Sequence, residues 1–172
     1  MIKFCYHWFG TSSKFLVYAA IVALLGLLGG IVWFASLDIP ELEQVEINLT
    51  EVEVINVNKV QNTAKLTVTF LIKNPSEKTF TVSMIGYQLY ADGELLGSGQ
   101  YSTVDIAMPG RAIFGSGAEI PLKNNFELNM SDVGNEIYQA VLDDGISSFR
   151  AEGVITTESA WSTIEKEFDS SI

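Results

Sequence analysis

Two patterns of hydrophobic and polar positions divide the chain. From Phe15 to Leu37 no side chain is charged, and the apolar residues cover every side of a helix rather than one stripe. At 1.5 Å of rise each, these residues span about 35 Å, enough to cross a hydrocarbon core of about 30 Å. A buried core helix of that length would normally keep a polar face. A secretory signal has a shorter apolar region that ends in a small-x-small cleavage site. Here a cut after Ala35 or Ser36 would place Trp33 or Phe34 where a small residue belongs. The segment is therefore expected to stay in place as a transmembrane anchor.

Beyond Pro40 the period becomes two, the mark of half-buried strands. Val45, Ile47 and Leu49 alternate with polar residues, as do Val52 and Val54, and the phase slip between Leu49 and Val52 predicts a bulge. Leu66, Val68, Phe70 and Ile72 form the clearest strand, with Leu71 on its outer side. Asn74-Pro75-Ser76 ends it, since proline removes a ladder donor. Phe80, Val82 and Met84 open the next strand, and Ile85, Tyr87 and Leu89 continue it on the other parity, which predicts a second bulge near Met84–Gly86. Asp92-Gly93 signals a hairpin. Strands follow near Tyr101–Ala107 and over Ile113–Leu122, separated by a Pro109-Gly110 turn.

Met130, Val133, Ile137, Tyr138 and Val141 recur at helical spacing, with Asn129 or Ser131 as N-cap and Gly145 as stop, so one helix of about three turns is expected. Ser148–Thr157 returns to strand. In the tail Ile164, Lys166 and Phe168 fit a strand, whereas Trp161, Ile164 and Phe168 fit a helix. Six or seven short strands with one helix predict an all-β fold: an antiparallel sandwich of immunoglobulin or fibronectin-III-like type. The expected organisation is an N-terminal segment 1–14, a transmembrane helix 15–37, a stalk 38–44 and the sandwich 45–172.

Charge orients this arrangement. Lys3 and Lys14 precede the helix with no acid among the first 37 residues, while Asp38, Glu41, Glu43 and Glu46 follow it. Basic residues stay on the cytoplasmic side. The N-terminus is therefore expected inside a cell membrane and residues 38–172 outside, with Tyr18 and Trp33 near the two interfaces. The outer part holds all 21 acids and eight of the ten bases, a net charge of about −13, which opposes attraction to nucleic acid. The single cysteine, Cys5, and the single histidine, His7, both precede the helix. The outer part therefore offers no disulfide, no triad with histidine or cysteine, and no zinc site with such ligands.

Carboxylates remain, at Asp143-Asp144 and at Glu165, Glu167 and Asp169, but neither group has the order of an EF-hand loop. No catalytic residue, cofactor or metal is assigned. Asn48-Leu49-Thr50 and Asn129-Met130-Ser131 are sequons, so Asn48 and Asn129 are candidate glycosylation sites; Pro75 excludes Asn74. Within the apolar helix, Ala19, Ala23, Gly26 and Gly30 fall within about 60° of one another at 100° per residue. That small-residue face is a candidate contact with another membrane helix or with a copy of itself.

The run Ala64–Gly99 resembles the type 2 late-embryogenesis-abundant domain, also called the water stress and hypersensitive response domain. It carries Asn74-Pro75 at a strand end, then Tyr87-Gln88-Leu89-Tyr90, the Asp92-Gly93 turn and Leu96-Gly97-Ser98-Gly99. The resemblance extends over about 45–165 and implies a sandwich without established catalytic residues, often tethered by an N-terminal membrane helix. It implies a protective role in water stress or a role in protein interaction. An accessory subunit of a larger membrane complex, or a surface-layer attachment module, is the alternative.

The charge asymmetry predicts a protease result. Protease added to intact cells or right-side-out vesicles, with any outer layer breached, should digest the chain beyond residue 40 and spare its N-terminus. Digestion of the domain only after lysis would reverse the orientation.

Overall fold

Alternation decides where strands form, and bulges restore it where the sequence slips. The computed structural model describes residues 13–102, 112–143 and 145–172. In chain order its elements are α1 (Ser13–Ser36), α2 (Ile39–Leu42), β1 (Glu46–Asn58), β2 (Thr63–Lys73), β3 (Phe80–Ala91), β4 (Glu94–Ser102), β5 (Ile113–Phe114), β6 (Glu119–Asn129), α3 (Met130–Val133), α4 (Asn135–Leu142), β7 (Phe149–Glu158) and β8 (Thr163–Ser171). The chain divides into two compact units, one ending at Leu37 and one starting at Asp38. In the first, α1 is apolar on all sides, and the described residues hold one helix long and apolar enough to cross a membrane.

The second unit is an antiparallel β-sandwich. One sheet has the order β1-β2-β6; the other has the order β4-β3-β7-β8, with β5 also pairing β3. Leu66, Val68, Phe70 and Ile72 of β2 are fully buried and face Val82, Ile85, Tyr87 and Leu89 of β3 within one core. Phase slips become bulges: β1 shifts register between Leu49 and Glu51, and β3 shifts between Val82 and Met84. The second bulge lies at Ser83, earlier than expected, and turns Met84 out of the core to 38% exposure. Asp92 and Gly93 both take positive φ, 48° and 88°, and form the two-residue hairpin between β3 and β4. Two successive left-handed residues twist the turn with the strands.

Several expectations are corrected. Ile113–Leu122 is not one strand: β5 pairs β3 in one sheet, and β6 pairs β2 in the other. The switch is made at Gly115–Ala118, where the Ala118 N–H donates to the Gly115 carbonyl at 3.0 Å. Strand β6 then runs on to Asn129, because Leu122, Phe126 and Leu128 face the core while polar Asn124 shares that face. The single expected helix is two, α3 and α4, broken at Gly134 with φ 81°. Ser148–Thr157 is a strand, and the ambiguous tail is a strand as well, β8, with Trp161 in the turn before it. Strand β4 takes in Tyr101, whereas the rest of the expected strand to Ala107 and the Pro109-Gly110 turn lie outside the described residues.

The segment 38–44, expected as a stalk, holds α2, and its Leu42 is fully buried. The Lys166 ammonium of β8 fastens it further, donating to the carbonyls of Glu43 at 2.8 Å and Val45 at 2.6 Å. Nearby, Leu49 N–H donates to Ser170 Oγ at 2.9 Å. These bonds close the sandwich along the edges formed by β1 and β8.

Residues 38–172 bury a core of their own, so this part expressed alone should fold as a soluble, mainly β protein insensitive to reductant. Phe70 lies edge-on to Tyr87 at 4.9 Å and to Phe168 at 5.7 Å. Phe70→Ala should lower its unfolding free energy by about 3–5 kcal/mol in urea titration. A mainly helical circular dichroism spectrum of the isolated part would contradict this fold.

Candidate functional site

The residues of the Asn74 to Gly99 stretch act on the fold itself. Asn74 is buried at the end of β2, and its side-chain amide donates to the carbonyls of Lys78 at 2.8 Å, Phe114 at 3.0 Å and Gly115 at 3.0 Å. Its Oδ1 accepts from the Ser76 N–H at 3.0 Å and the Ser76 hydroxyl at 2.8 Å. The Asn74 backbone bonds both ways with the 117–118 segment. One asparagine thus ties the β2–β3 turn to the strand switch, and few residue types could supply donors and acceptor at once.

Tyr87, Leu89, Gln88 and Tyr90 alternate across β3. Tyr87 and Leu89 are buried, and the other two belong to the outer face. Tyr87 pairs with Gly99 of β4 on one side and Gly153 of β7 on the other. A Cβ at Gly99 would overlap the Tyr87 ring, and a Cβ at Gly153 would overlap the Gly86 carbonyl. The Tyr87 hydroxyl reaches the other sheet, where Asn124 Nδ2 donates to it at 2.9 Å. Burial raises the Tyr87 hydroxyl from the ordinary tyrosine value of 10.0 to about 12, and the Asn124 bond lowers it less than burial raises it.

The same register shapes the opposite face of the five-stranded sheet. Gly86 pairs with Gln100 of β4 and Val154 of β7, and its missing side chain leaves the floor of a broad trough. The trough has a volume of about 810 Å³ and is flanked by Gln88, Ser98, Gln100, Glu152, Glu167 and Asp169, from four adjacent strands. This concavity, on which polar side chains of four strands converge, is the candidate site.

Beside one end of the trough is a polar cluster of which the sequence alone pointed only to Asp169. The Arg150 guanidinium bonds both oxygens of Asp169 at 2.7 Å and also Glu152 Oε2. It lies over the Tyr90 ring, whose hydroxyl donates to Glu152 Oε1 at 2.6 Å. The Arg150 bond holds the Asp169 carboxyl below the usual aspartate range, and Asp169 in turn raises the guanidinium. The bond to Glu152 raises the Tyr90 hydroxyl. These groups are exposed, so solvent screens their attraction and they shape the rim more than they stabilise the fold. The spacing of two between Arg150 and Glu152 was visible, but the partnership with Asp169 depends on the β7–β8 register. With three carboxylates against one guanidinium, the trough repels anions and offers acceptors to neutral or cationic donors.

The other sites considered from sequence lie elsewhere. Asn48 is exposed on β1, and Asn129 is half-buried at the start of α3, its Nδ2 donating to Asp132 Oδ2 at 3.2 Å. Ala19, Ala23, Gly26 and Gly30 lie on α1, and a Cβ added at Gly26 or Gly30 would meet nothing within 4 Å. Glu165, Glu167 and Asp169 alternate on β8, but Asp169 is engaged by Arg150. Among the described residues no three acidic, histidine or cysteine groups converge as metal ligands. Lys3, Cys5, His7 and Asp144 lie outside the described residues.

No protein-family model matches the chain, and no curated protein matches it. Solved structures do. A protein of Arabidopsis thaliana aligns with a TM-score of 0.49 and 15% identity over 74% of this chain and 80% of its own. A protein described as late embryogenesis abundant gives 0.44 and 15% over 94% and 90%. A protein from Archaeoglobus fulgidus gives 0.44 and 15% over 73% and 96%. These are distant likenesses, all under 25% identity and below a TM-score of 0.5.

Tyr87 makes stability sensitive to alkali. Its folded value lies above the unfolded one, so the stabilisation is complete below pH 10.0 and is lost as pH rises toward about 12. Tyr87→Phe should flatten the fall in urea midpoint between those two values, while costing about 0.5–1.5 kcal/mol near neutrality through the lost Asn124 bond. An unchanged alkaline slope would mean that Tyr87 does not titrate with unfolding.

Proposed function

We propose that the chain is a non-enzymatic, membrane-tethered domain of late-embryogenesis-abundant type 2 character, held on the extracytoplasmic side. Its role is protection under water stress, or interaction with other molecules, through the outer face of the five-stranded sheet. One observation carries the reading: α1 is apolar on every side and carries no charge from Phe15 to Leu37, in a chain whose residues 38–172 bury a separate core. A helix of that kind is at home in hydrocarbon. The order of Lys3 and Lys14 before it and acids after it supports the orientation.

The protective character is supported by the Asn74-Pro75, Tyr87-Gln88-Leu89-Tyr90 and Leu96-Gly97-Ser98-Gly99 resemblance, whose residues have the structural duties that a signature of fold requires. The acidic surface supports a strongly hydrated exterior. The trough lined by Gln88, Gln100, Ser98 and Glu152 supports contact with neutral polar groups in preference to anions. Of the two sequons, exposed Asn48 is the better acceptor, since Asn129 is half-buried and engaged with Asp132.

The test uses the full chain in its own membrane. It should stay with the membrane pellet through alkaline carbonate and leave only with detergent. Mild detergent should release it without a stoichiometric partner. Release by carbonate would refute the anchor, and a stable partner at fixed ratio would establish the accessory-subunit alternative instead.

A further inference from the structure

Topology gathers four segments, 38–45, 74–79, 115–118 and 159–162, at one end of the sandwich. Strands β2 and β7 arrive there, β3, β6 and β8 depart from it, and β5 pairs with the first two residues of β3. That end is the one fastened to Asp38, the residue that directly follows Leu37 in the chain. The Asp38 carboxylate is nearly buried. It accepts from the Ser159 hydroxyl at 3.3 Å and lies 3.3 Å from the Lys78 ammonium. Two peptide units separate Asp38 from Ser36, the last residue of α1, so their Cα atoms are at most about 7 Å apart.

At this same end three apolar side chains are left in the open: Trp161 at 65%, Ile113 at 66% and Ile39 at 39% exposure. Trp161 is held out by a built turn. Ser159 Oγ, the atom that bonds Asp38, accepts from the N–H groups of Trp161 at 3.3 Å and Ser162 at 3.1 Å. Ser159 N–H closes the turn on the Ser162 carbonyl at 2.8 Å. Leaving an indole in water forgoes a large apolar gain, and tryptophan favours the headgroup level of a bilayer, where its ring is covered and its N–H stays wet. Among the described residues the opposite end exposes Ile55, Val60, Leu95 and Ile172, but no large aromatic side chain to the same extent as Trp161, and it lies a strand length away from Asp38. The headgroup layer is about 5–8 Å deep on each side of the hydrocarbon, comparable to the reach from Ser36 to Asp38.

We infer that this end is a membrane-seated foot, in which Trp161, with Ile113 and Ile39, rests in the headgroup region of the bilayer that holds α1. The inference rests on the anchor reading above and adds a second contact with lipid. The surrounding acids rule out attraction to anionic headgroups as its source, so the contact depends on the indole and its apolar neighbours.

The chain has three tryptophans, Trp8, Trp33 and Trp161, which permits a direct test. The full chain carrying Trp8→Phe and Trp33→Phe is reconstituted in phosphatidylcholine bilayers brominated on the upper acyl chain. Trp161 emission should be blue-shifted, lose most of its intensity to the bromines and resist aqueous iodide. Emission at the solvent-exposed wavelength, quenched by iodide and untouched by bromine, would overturn the inference. A blue shift without bromine quenching would overturn it too, and would place Trp161 against protein. A companion with Trp8→Phe and Trp161→Phe reports Trp33. If Trp33 is quenched by bromine and Trp161 is not, only the foot fails; if Trp33 is unquenched, the anchor reading fails and the foot with it.

Discussion

The Tyr87 ring has room in the sandwich only because Gly99 lacks a side chain, and the β3 backbone can lie close to β7 beside it because Gly153 lacks one. With that space open, its ring packs edge-on to Phe70 at 4.9 Å and tilts against Phe126 at 6.4 Å, so one residue of β3 touches two strands of the facing sheet. The hydroxyl finishes the crossing at Asn124. Sheet-on-sheet packing is otherwise non-directional, and apolar contacts alone tolerate sliding. A hydrogen bond spanning the core fixes the offset, because a shift would leave a buried hydroxyl without a partner. The pairing that seats Tyr87 inward also turns Gly86 outward, so the trough on the outer face follows from the packing of the inner one.

The second constraint is the strand switch held by Asn74. Without it, the stretch from Ile113 to Leu122 has the alternation of one continuous strand. The Asn74 amide takes up the carbonyls of Phe114 and Gly115, and its backbone takes up Gly117 and Ala118. The chain is thereby made to leave one sheet and enter the other. Strand β6 can then cover β2, and proline at 121 is tolerated because β6 lies at a sheet edge. Asn74-Pro75 and the glycine steps are thus parts of a folding device, and functional variation has to be sought on the outer surfaces.

Those surfaces are strongly acidic and unevenly apolar. The trough is rimmed by amides and carboxylates over a floor at Gly86 and Val154, with Arg150 bonded to Glu152 and Asp169 beside it. The end of the sandwich next to Asp38 is different in kind, since it presents an indole and two isoleucines instead of amides and carboxylates.

Much of this was legible in the residues. The uncharged run from Phe15 to Leu37 prescribes an apolar helix, because no face of it can be polar. The alternation from Leu66 to Ile72 prescribes a core strand, because a period of two has only one buried side. The Asp92-Gly93 hairpin and the bulge after Leu49 follow from equally local rules. What the sequence by itself determined, then, were the local elements and the side of each that faces inward. Only the tertiary structure decided the sheet to which Ile113–Phe114 and Glu119–Asn129 belong, the burial of Leu42, the meeting of Arg150 with Asp169, and the trough over Gly86. Each depends on partners far apart in the chain: Arg150 and Asp169 are 19 positions apart, Asn74 and Phe114 are 40, and Lys166 reaches back 121 positions to Val45. Hydrophobic periodicity reports which side of a strand is dry, but strand order and register are set by cross-strand fit, and that fit exists only when the strands are assembled.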